Sequence, residues 1–151
     1  MNRTSATADD TIVQEITIHA PASRVFDAFT NPTERVKWWS SEGRFQTTQV
    51  DSDLRPGGKW AMRGTRHDGQ PFTVKGEYRA VERPTLLVFT WLPDWQGDTT
   101  ESVVRIDFTE TEGLTHVRLT HSGLTSEKSR TSHRGWPQIL AWLQAYVDAA
   151  L

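Results

Sequence analysis

The sequence predicts an α+β protein in which a strongly curved antiparallel sheet of about six to seven strands wraps around one long C-terminal helix. Two short helices follow the first strand, a long run of alternating segments comes next, and the chain closes on a helix with one apolar stripe. This order of elements is typical of the α+β class. Because one helix cannot cover the whole concave face of such a sheet, we expect a pocket between the two.

The first three elements are predicted before residue 40. Residues 11–19 alternate between apolar and polar side chains, which indicates a half-buried strand. Pro21 ends this strand, and apolar residues then recur at helical spacing over residues 22–29, which predicts a short amphipathic helix. Asn31 is a suitable cap for a second short helix over residues 32–38.

The middle of the chain, residues 45–122, is predicted to form antiparallel strands separated by turns. The dipeptide Asp68-Gly69 is typical of a hairpin, Pro84 turns the chain again, and Gly113 marks a further hairpin. The alternation places the following apolar side chains together on one face of their strands: Trp60, Met62, Phe72, Val74, Tyr78, Leu87, Phe89, Trp91, Val104, Ile106, Phe108, Val117 and Leu119.

The C-terminal helix is predicted over residues 137–149. Pro137 suits the first helical position because the N–H that proline lacks has no partner there. Counted from Trp136, apolar residues follow at intervals of three, four, seven and eleven, which is one helical stripe. We expect this stripe to be buried against the sheet through Ile139, Leu140, Leu143 and Val147.

Composition excludes several classes of function. A formal net charge of -2 does not favour a nucleic-acid partner, because nucleic acids bind basic faces. No apolar run approaches the ~20 residues needed to cross a bilayer, so membrane insertion is not expected. The absence of cysteine excludes disulfides and thiol chemistry, and it suits the reducing cytoplasm, where we expect this protein.

The domain organisation is predicted to be simple. Residues 1–10 are polar, have the composition of a disordered tail and carry no secretory signal. Residues 11–151 show neither a repeat nor a linker, and we expect them to form a single domain that is a monomer or a weak homodimer.

The sequence offers little catalytic chemistry. His116 and His121 are five residues apart in one strand, so their side chains point to opposite faces and cannot bind one metal ion together. There is no nucleophile elbow and no phosphate-binding loop, and we expect neither a metal nor a cofactor. His121 shares its strand face with Leu119. It either bonds a ligand or acts as a base there, or it is a structural residue bonded to the backbone or to the start of the last helix.

The aromatic residues indicate the candidate site. Seven tryptophans are many for so polar a chain, and large aromatic side chains are common in ligand pockets. The alternative is a solid core rich in tryptophan. Trp95, in the polar loop of residues 93–100, covers the mouth of the pocket or lies on the surface. We predict that these inward-facing residues bind the ligand: Trp39, Trp60, Met62, Phe72, Phe89, Trp91, His121, Trp136 and Leu140.

Five segments, spread over residues 11–150, together resemble one family. They resemble the START-like superfamily, in the branch named after the heat-shock-protein-90 ATPase activator homologue. The resemblance implies the helix-grip fold, in which a curved sheet holds a long C-terminal helix. The segments are VFDAFTNPTERVKWWSSEGR (25–44), DLRPGGKWAMRG (53–64), GEYRAVERPTLLVFTW (76–91), LTHSG (119–123) and GWPQILAWLQAY (135–146).

The function expected from the residues and the resemblance is the non-catalytic binding of a small apolar or aromatic molecule, for transport, sensing or sequestration. One alternative is an enzyme similar to polyketide cyclases or hydrolases, for which Gln14 and Tyr78 would supply inward polar groups beside His121. A second alternative is a co-chaperone-like ATPase activator, although that activity is associated in this family with an additional domain.

Overall fold

The computed structural model describes residues 10–41, 45–94, 101–127, 130 and 133–149. Residues 1–9 of the predicted tail, and Trp95 with most of its loop, lie outside the described residues. The helices and strands follow one another as β1 (Ile12–Ile18), α1 (Ala22–Thr30), α2 (Pro32–Trp38), β2 (Ser40–Ser41), β3 (Phe45–Ser52), β4 (Lys59–Arg66), β5 (Pro71–Glu82), β6 (Leu86–Pro93), β7 (Ser102–Thr111), β8 (Leu114–Ser122) and α3 (Trp136–Ala149).

The sheet is antiparallel throughout and has the spatial order β1-β8-β7-β6-β5-β4-β3-β2. Consecutive strands from β2 to β8 are neighbours, and β1 closes the order by pairing with β8, with Ile16 opposite Val117. The predicted α+β architecture is therefore confirmed. The two-residue strand β2 is an addition that periodicity could not reveal, because two residues carry no alternation.

Two irregularities interrupt the hydrogen-bond ladders of the sheet. The register shifts between Thr47 and Gln49 in β3, and between Tyr78 and Ala80 in β5. Extra residues of this kind bend a strand and increase its twist.

The short helices form for local reasons that the sequence shows. The Asn31 side chain accepts hydrogen bonds from the backbone N–H groups of Thr33 and Glu34, at 2.9 and 3.2 Å. Pro32 occupies the start of α2, where its missing N–H needs no partner. Both helices bury one face, and Trp38 fixes α2 against α1 by donating its indole N–H to the carbonyl oxygen of Ala28 at 2.8 Å.

Helix α3 buries most of its predicted stripe against the sheet. Trp136, Leu140, Leu143 and Val147 are buried. Ile139 departs from the prediction, since it is only partly buried. It faces a gap between α3 and the sheet, which is the pocket described next. No helix among the described residues is long and apolar enough to span a membrane.

Candidate ligand-binding cavity

A half-open cavity of about 360 Å³ lies between the first turns of α3 and the strands β3 to β6. Ligand pockets commonly begin near 300 Å³, so this volume suits a small molecule. We call it the aromatic cavity. It is lined by Trp39, Phe45, Met62, Arg66, Phe72, Trp91, His133, Gly135, Trp136, Gln138, Ile139 and Trp142.

One side of the aromatic cavity is an aromatic cluster centred on Phe45. The Phe45 ring meets Phe72 edge-on, and it meets Trp142 of α3 in the same manner, with both pairs of centroids 5.7 Å apart. The Phe72 ring lies against Gly64 of β4. A Cβ at position 64 would lie 2.6 Å from two carbons of this ring, so the ring fits only because residue 64 is glycine. This side of the cavity therefore depends on the glycine at position 64 in β4.

The inner end of the aromatic cavity consists of three tryptophans. Trp39 stacks on Trp91 with centroids 6.1 Å apart, and it meets Trp136 edge-on at 5.8 Å. All three are buried. The mouth is polar by contrast, since Arg66 and Gln138 are exposed there. An apolar interior with a polar rim is the arrangement that suits a ligand with an apolar body.

The nine predicted ligand-binding residues divide between two locations. Trp39, Met62, Phe72, Trp91 and Trp136 line the aromatic cavity. The other four are buried outside its lining: Trp60, Phe89, His121 and Leu140.

Strand parity explains this division. Parity fixes which face of the sheet a side chain points to, and all of these strand residues do face inward. It does not fix whether a neighbouring side chain covers them. Phe89, for example, is covered by Trp60 and Tyr78, with centroids 5.4 and 6.3 Å away. Binding of a ligand by any of the nine stays a prediction.

His121 belongs to a buried polar network beside the cavity. Its Nδ1 accepts a hydrogen bond from the indole N–H of Trp136 at 3.0 Å, and its Nε2 lies 2.7 Å from the hydroxyl oxygen of Ser102. The neighbouring His133 accepts the indole N–H of Trp91 at Nε2, at 2.9 Å. Of the two roles that the sequence left open, the geometry matches the structural one, a bond to the start of the last helix.

This network fixes the protonation of His121. Because Nδ1 accepts a hydrogen bond, the proton of the neutral ring is on Nε2, which donates to Ser102. Burial, with a smaller effect from His133, lowers the pKa of His121 from 6.5 to about 3. A ring with its proton directed at the serine hydroxyl cannot accept the proton of that serine. The Ser102–His121 pair is therefore not arranged as a nucleophile and its base.

Seven residues that line the aromatic cavity are missing from the predicted set. Phe45 and Trp142 are aromatic, and the preference of ligand pockets for aromatic side chains is the signal that could have identified them. Ile139 was assigned to the buried stripe. Arg66, Gly135 and Gln138 are exposed, and no sequence pattern distinguishes them from other surface residues. His133 is buried, but it lies in no periodic segment whose pattern would indicate burial.

Arg35 is a further residue that the sequence reasoning missed. It is 2% exposed, and its guanidinium lies over the rings of Trp39, Trp60 and Phe29, at 4.3, 5.1 and 5.3 Å from their centroids. One signal was available. Arg35 precedes Trp38 and Trp39 by three and four residues, a spacing that places it on the apolar face of its helix.

Comparison with known proteins agrees with this architecture. The chain is similar to the AHSA1-like protein from Aeromonas hydrophila, with 28% identity, a TM-score of 0.77 and 93% of each chain covered. It is similar to protein Ms6760 from Mycobacterium smegmatis, with 24% identity, a TM-score of 0.76, and 95% of this chain and 91% of that chain covered. It is also similar to protein CV1439 from Chromobacterium violaceum, with 24% identity, a TM-score of 0.78, and 91% of this chain and 96% of that chain covered.

The last two likenesses, both below 25% identity, concern the fold alone. A comparison with curated proteins finds none that matches this sequence. The profile of one family, described as "Activator of Hsp90 ATPase homolog 1-like protein", matches residues 19–148, which is most of the chain. The resemblance found in the sequence is thereby confirmed, and the protein belongs to the Activator of Hsp90 ATPase homolog 1-like family.

Proposed function

We propose that this protein binds a small apolar or aromatic molecule in the aromatic cavity without transforming it, for transport, sensing or sequestration. The observation that carries the proposal is the cavity itself, with about 360 Å³ of space among aromatic and aliphatic side chains and polar groups at its mouth. Excluding water from such a surface is favourable by roughly 25 cal/mol for each Å² of apolar area buried.

The polar groups near the cavity support binding rather than turnover. The hydroxyl of Tyr78 lies 2.6 Å from the Ser52 hydroxyl and outside the cavity lining, and Gln14 does not line the cavity. His121 has both ring nitrogens engaged. A cyclase or hydrolase needs an acid and a base that converge on one reacting atom, and this arrangement offers no such pair among the described residues.

The proposal is tested by titrating the protein with prodan, a neutral naphthalene dye whose emission shifts to the blue in apolar surroundings. We expect saturable binding with a blue shift and quenching of tryptophan emission. The expected affinity is near the micromolar range, a binding free energy of about -8 kcal/mol. Ile139→Trp places a large ring in the cavity and is expected to weaken binding about tenfold or more.

Ala141→Trp is the matched control, because it adds the same ring to an exposed position of the same helix. This variant is expected to bind prodan as the wild type does. Equal binding by all three proteins, or no saturable binding by the wild type, would contradict the proposal. If prodan binds as expected, native mass spectrometry of protein purified from its own host would identify a co-purifying natural ligand. Cytoplasmic location and a monomeric or weakly dimeric state remain predictions from the sequence.

A further inference from the structure

Arg35 is a buried cation without a counter-ion among the described residues. Its Nε and Nη2 are buried and have no hydrogen-bond partner, and no ion pair involves it within the described parts of the chain. Burial lowers the pKa of Arg35 from 12.5 to about 10, so the guanidinium is still charged at neutral pH. An unpaired buried charge is strongly unfavourable, and buried charges in proteins are normally paired.

The surrounding rings compensate this charge only in part. Trp39, Trp60 and Phe29 present their faces within 5.3 Å, which is the range of cation–π attraction. Ring faces do not replace the hydrogen bonds that water gave to the N–H groups of the guanidinium. We refer to Arg35 and these three rings as the Arg35 site.

A second buried group in the Arg35 site also lacks a hydrogen-bond acceptor. The indole Nε1 of Trp60 is buried and has no hydrogen-bond partner. Three buried nitrogens of the Arg35 site therefore lack an acceptor, and two of them belong to a cation. A carboxylate has two oxygens and one negative charge, and it forms short, charge-assisted bonds with a guanidinium.

The Arg35 site and the aromatic cavity share one side chain. The Trp39 ring lines the cavity, and its centroid lies 4.3 Å from the guanidinium carbon of Arg35. We propose that the ligand of this protein is an aromatic or apolar carboxylic acid, whose body fills the aromatic cavity while its carboxylate displaces the Trp39 ring and bonds Arg35 and the Trp60 N–H. This inference rests on the proposed function, since it names the ligand class of the same cavity.

The competing source of anion preference is Arg66. Its guanidinium is exposed at the cavity mouth and lies 4.0 Å from the Asp68 carboxylate. A cation that remains hydrated discriminates poorly between an acid and a neutral analogue, because water competes for the carboxylate and salt screens the charge. Arg35 is shielded from water, so its preference for an anion is expected to be larger and less dependent on salt.

The test compares 2-naphthoic acid with 2-naphthamide, two probes of nearly equal shape that differ in charge, by isothermal titration calorimetry at pH 7.5. For the wild type we expect the acid to bind about tenfold or more tightly than the amide. Arg35→Met is expected to abolish this preference, so that the acid and the amide bind with affinities within about twofold of each other. Arg66→Gln is the control and is expected to keep the preference.

The outcomes separate the two proposals. If neither probe binds the wild type, the proposed function itself fails. If both probes bind equally well, or if Arg66→Gln removes the preference and Arg35→Met keeps it, the carboxylate inference is overturned while the cavity stands. A second measurement needs no variant. The Nε–H signal of Arg35 in nitrogen-15 NMR spectra of the wild type is expected to shift with the acid and not with the amide, and an unshifted signal would overturn the inference.

Discussion

The indole N–H of Trp136 donates a hydrogen bond to Nδ1 of His121 at 3.0 Å, and this bond joins the first turn of α3 to β8. Both residues are buried, at 2% and 0% exposure. Since Nδ1 accepts this bond only when it carries no proton, the start of the terminal helix is held to the sheet by the neutral form of one histidine. The arrangement links the position of α3, and thus of the cavity, to the protonation of His121.

Stability is therefore predicted to fall in mild acid. The pKa of His121 is about 3 in the folded protein and 6.5 when unperturbed, so between these values the unfolded state binds the extra proton. The contribution of His121 to stability is complete above pH 6.5 and is lost as the pH falls from 6.5 toward 3. The loss amounts to roughly 1 kcal/mol per pH unit in this window. Urea unfolding at pH 7.0 to 4.5 measures it.

His121→Gln isolates this effect, because an amide can accept from Trp136 and donate to Ser102 without titrating. We expect the variant to be less stable at pH 7 but to lose less stability than the wild type on acidification. His67→Gln, at an exposed position, should retain the wild-type slope. Identical slopes in all three proteins would show that His121 does not govern the acid response.

Leu143 is fully buried where α3 packs against the sheet. Leu143→Ala removes apolar contacts and leaves a cavity, so we expect the free energy of unfolding to fall by about 2–5 kcal/mol. Chemical denaturation at neutral pH measures the change. A loss well under 1 kcal/mol would mean that the helix stripe is not part of the core.

Gly76 in β5 has no space for a side chain. A Cβ there would lie 1.9 Å from the Thr90 carbonyl oxygen and 2.7 Å from the indole nitrogen of Trp60. Gly76→Ala is therefore expected to lower the unfolding free energy by about 1–3 kcal/mol. Gly135→Ala is the control, since nothing lies within 4 Å of its added carbon. Equal stability of the two variants would contradict the close packing of β5 on β6.

Replacing Phe89 with alanine is predicted to reduce mainly stability, whereas replacing Trp142 with alanine is predicted to change ligand affinity. Phe89 is 1% exposed and lies outside the cavity lining, so Phe89→Ala should cost about 3–5 kcal/mol of stability. Trp142 is partly buried and lines the aromatic cavity, so Trp142→Ala should cost less stability and change the affinity for prodan. Thermal unfolding and dye titration of both variants measure the contrast. A Phe89→Ala variant that alters only affinity would place the site elsewhere.

Periodicity was sufficient to predict most of the fold. The bounds of α2 were predicted to the residue, because an Asn-Pro pair begins this helix. The residues of the candidate site were harder to predict. Strand parity separates inner from outer residues but cannot tell that Phe89 is covered whereas Phe72 borders empty space. That difference depends on how Trp60 and other bulky rings pack, which is a three-dimensional property.

The burial of Arg35 could not be predicted from the sequence, for a different reason. Its helical spacing from Trp38 and Trp39 places it on a buried face, but charged residues are so seldom fully buried that the pattern alone favours a solvated arginine. Only the packed structure shows three rings around the guanidinium and no acceptor for two of its nitrogens among the described residues.

The central claim is that a ligand with an apolar body binds between α3 and the sheet, and anomalous diffraction tests it most directly. Crystals soaked with 6-bromo-2-naphthol would locate the bromine atom without reference to any assumed pose. We expect a bromine peak in contact with the rings of Phe45, Phe72 and Trp142. No bromine peak within the protein, or one confined to the groove lined by Lys59, Arg63 and Lys75, would contradict it.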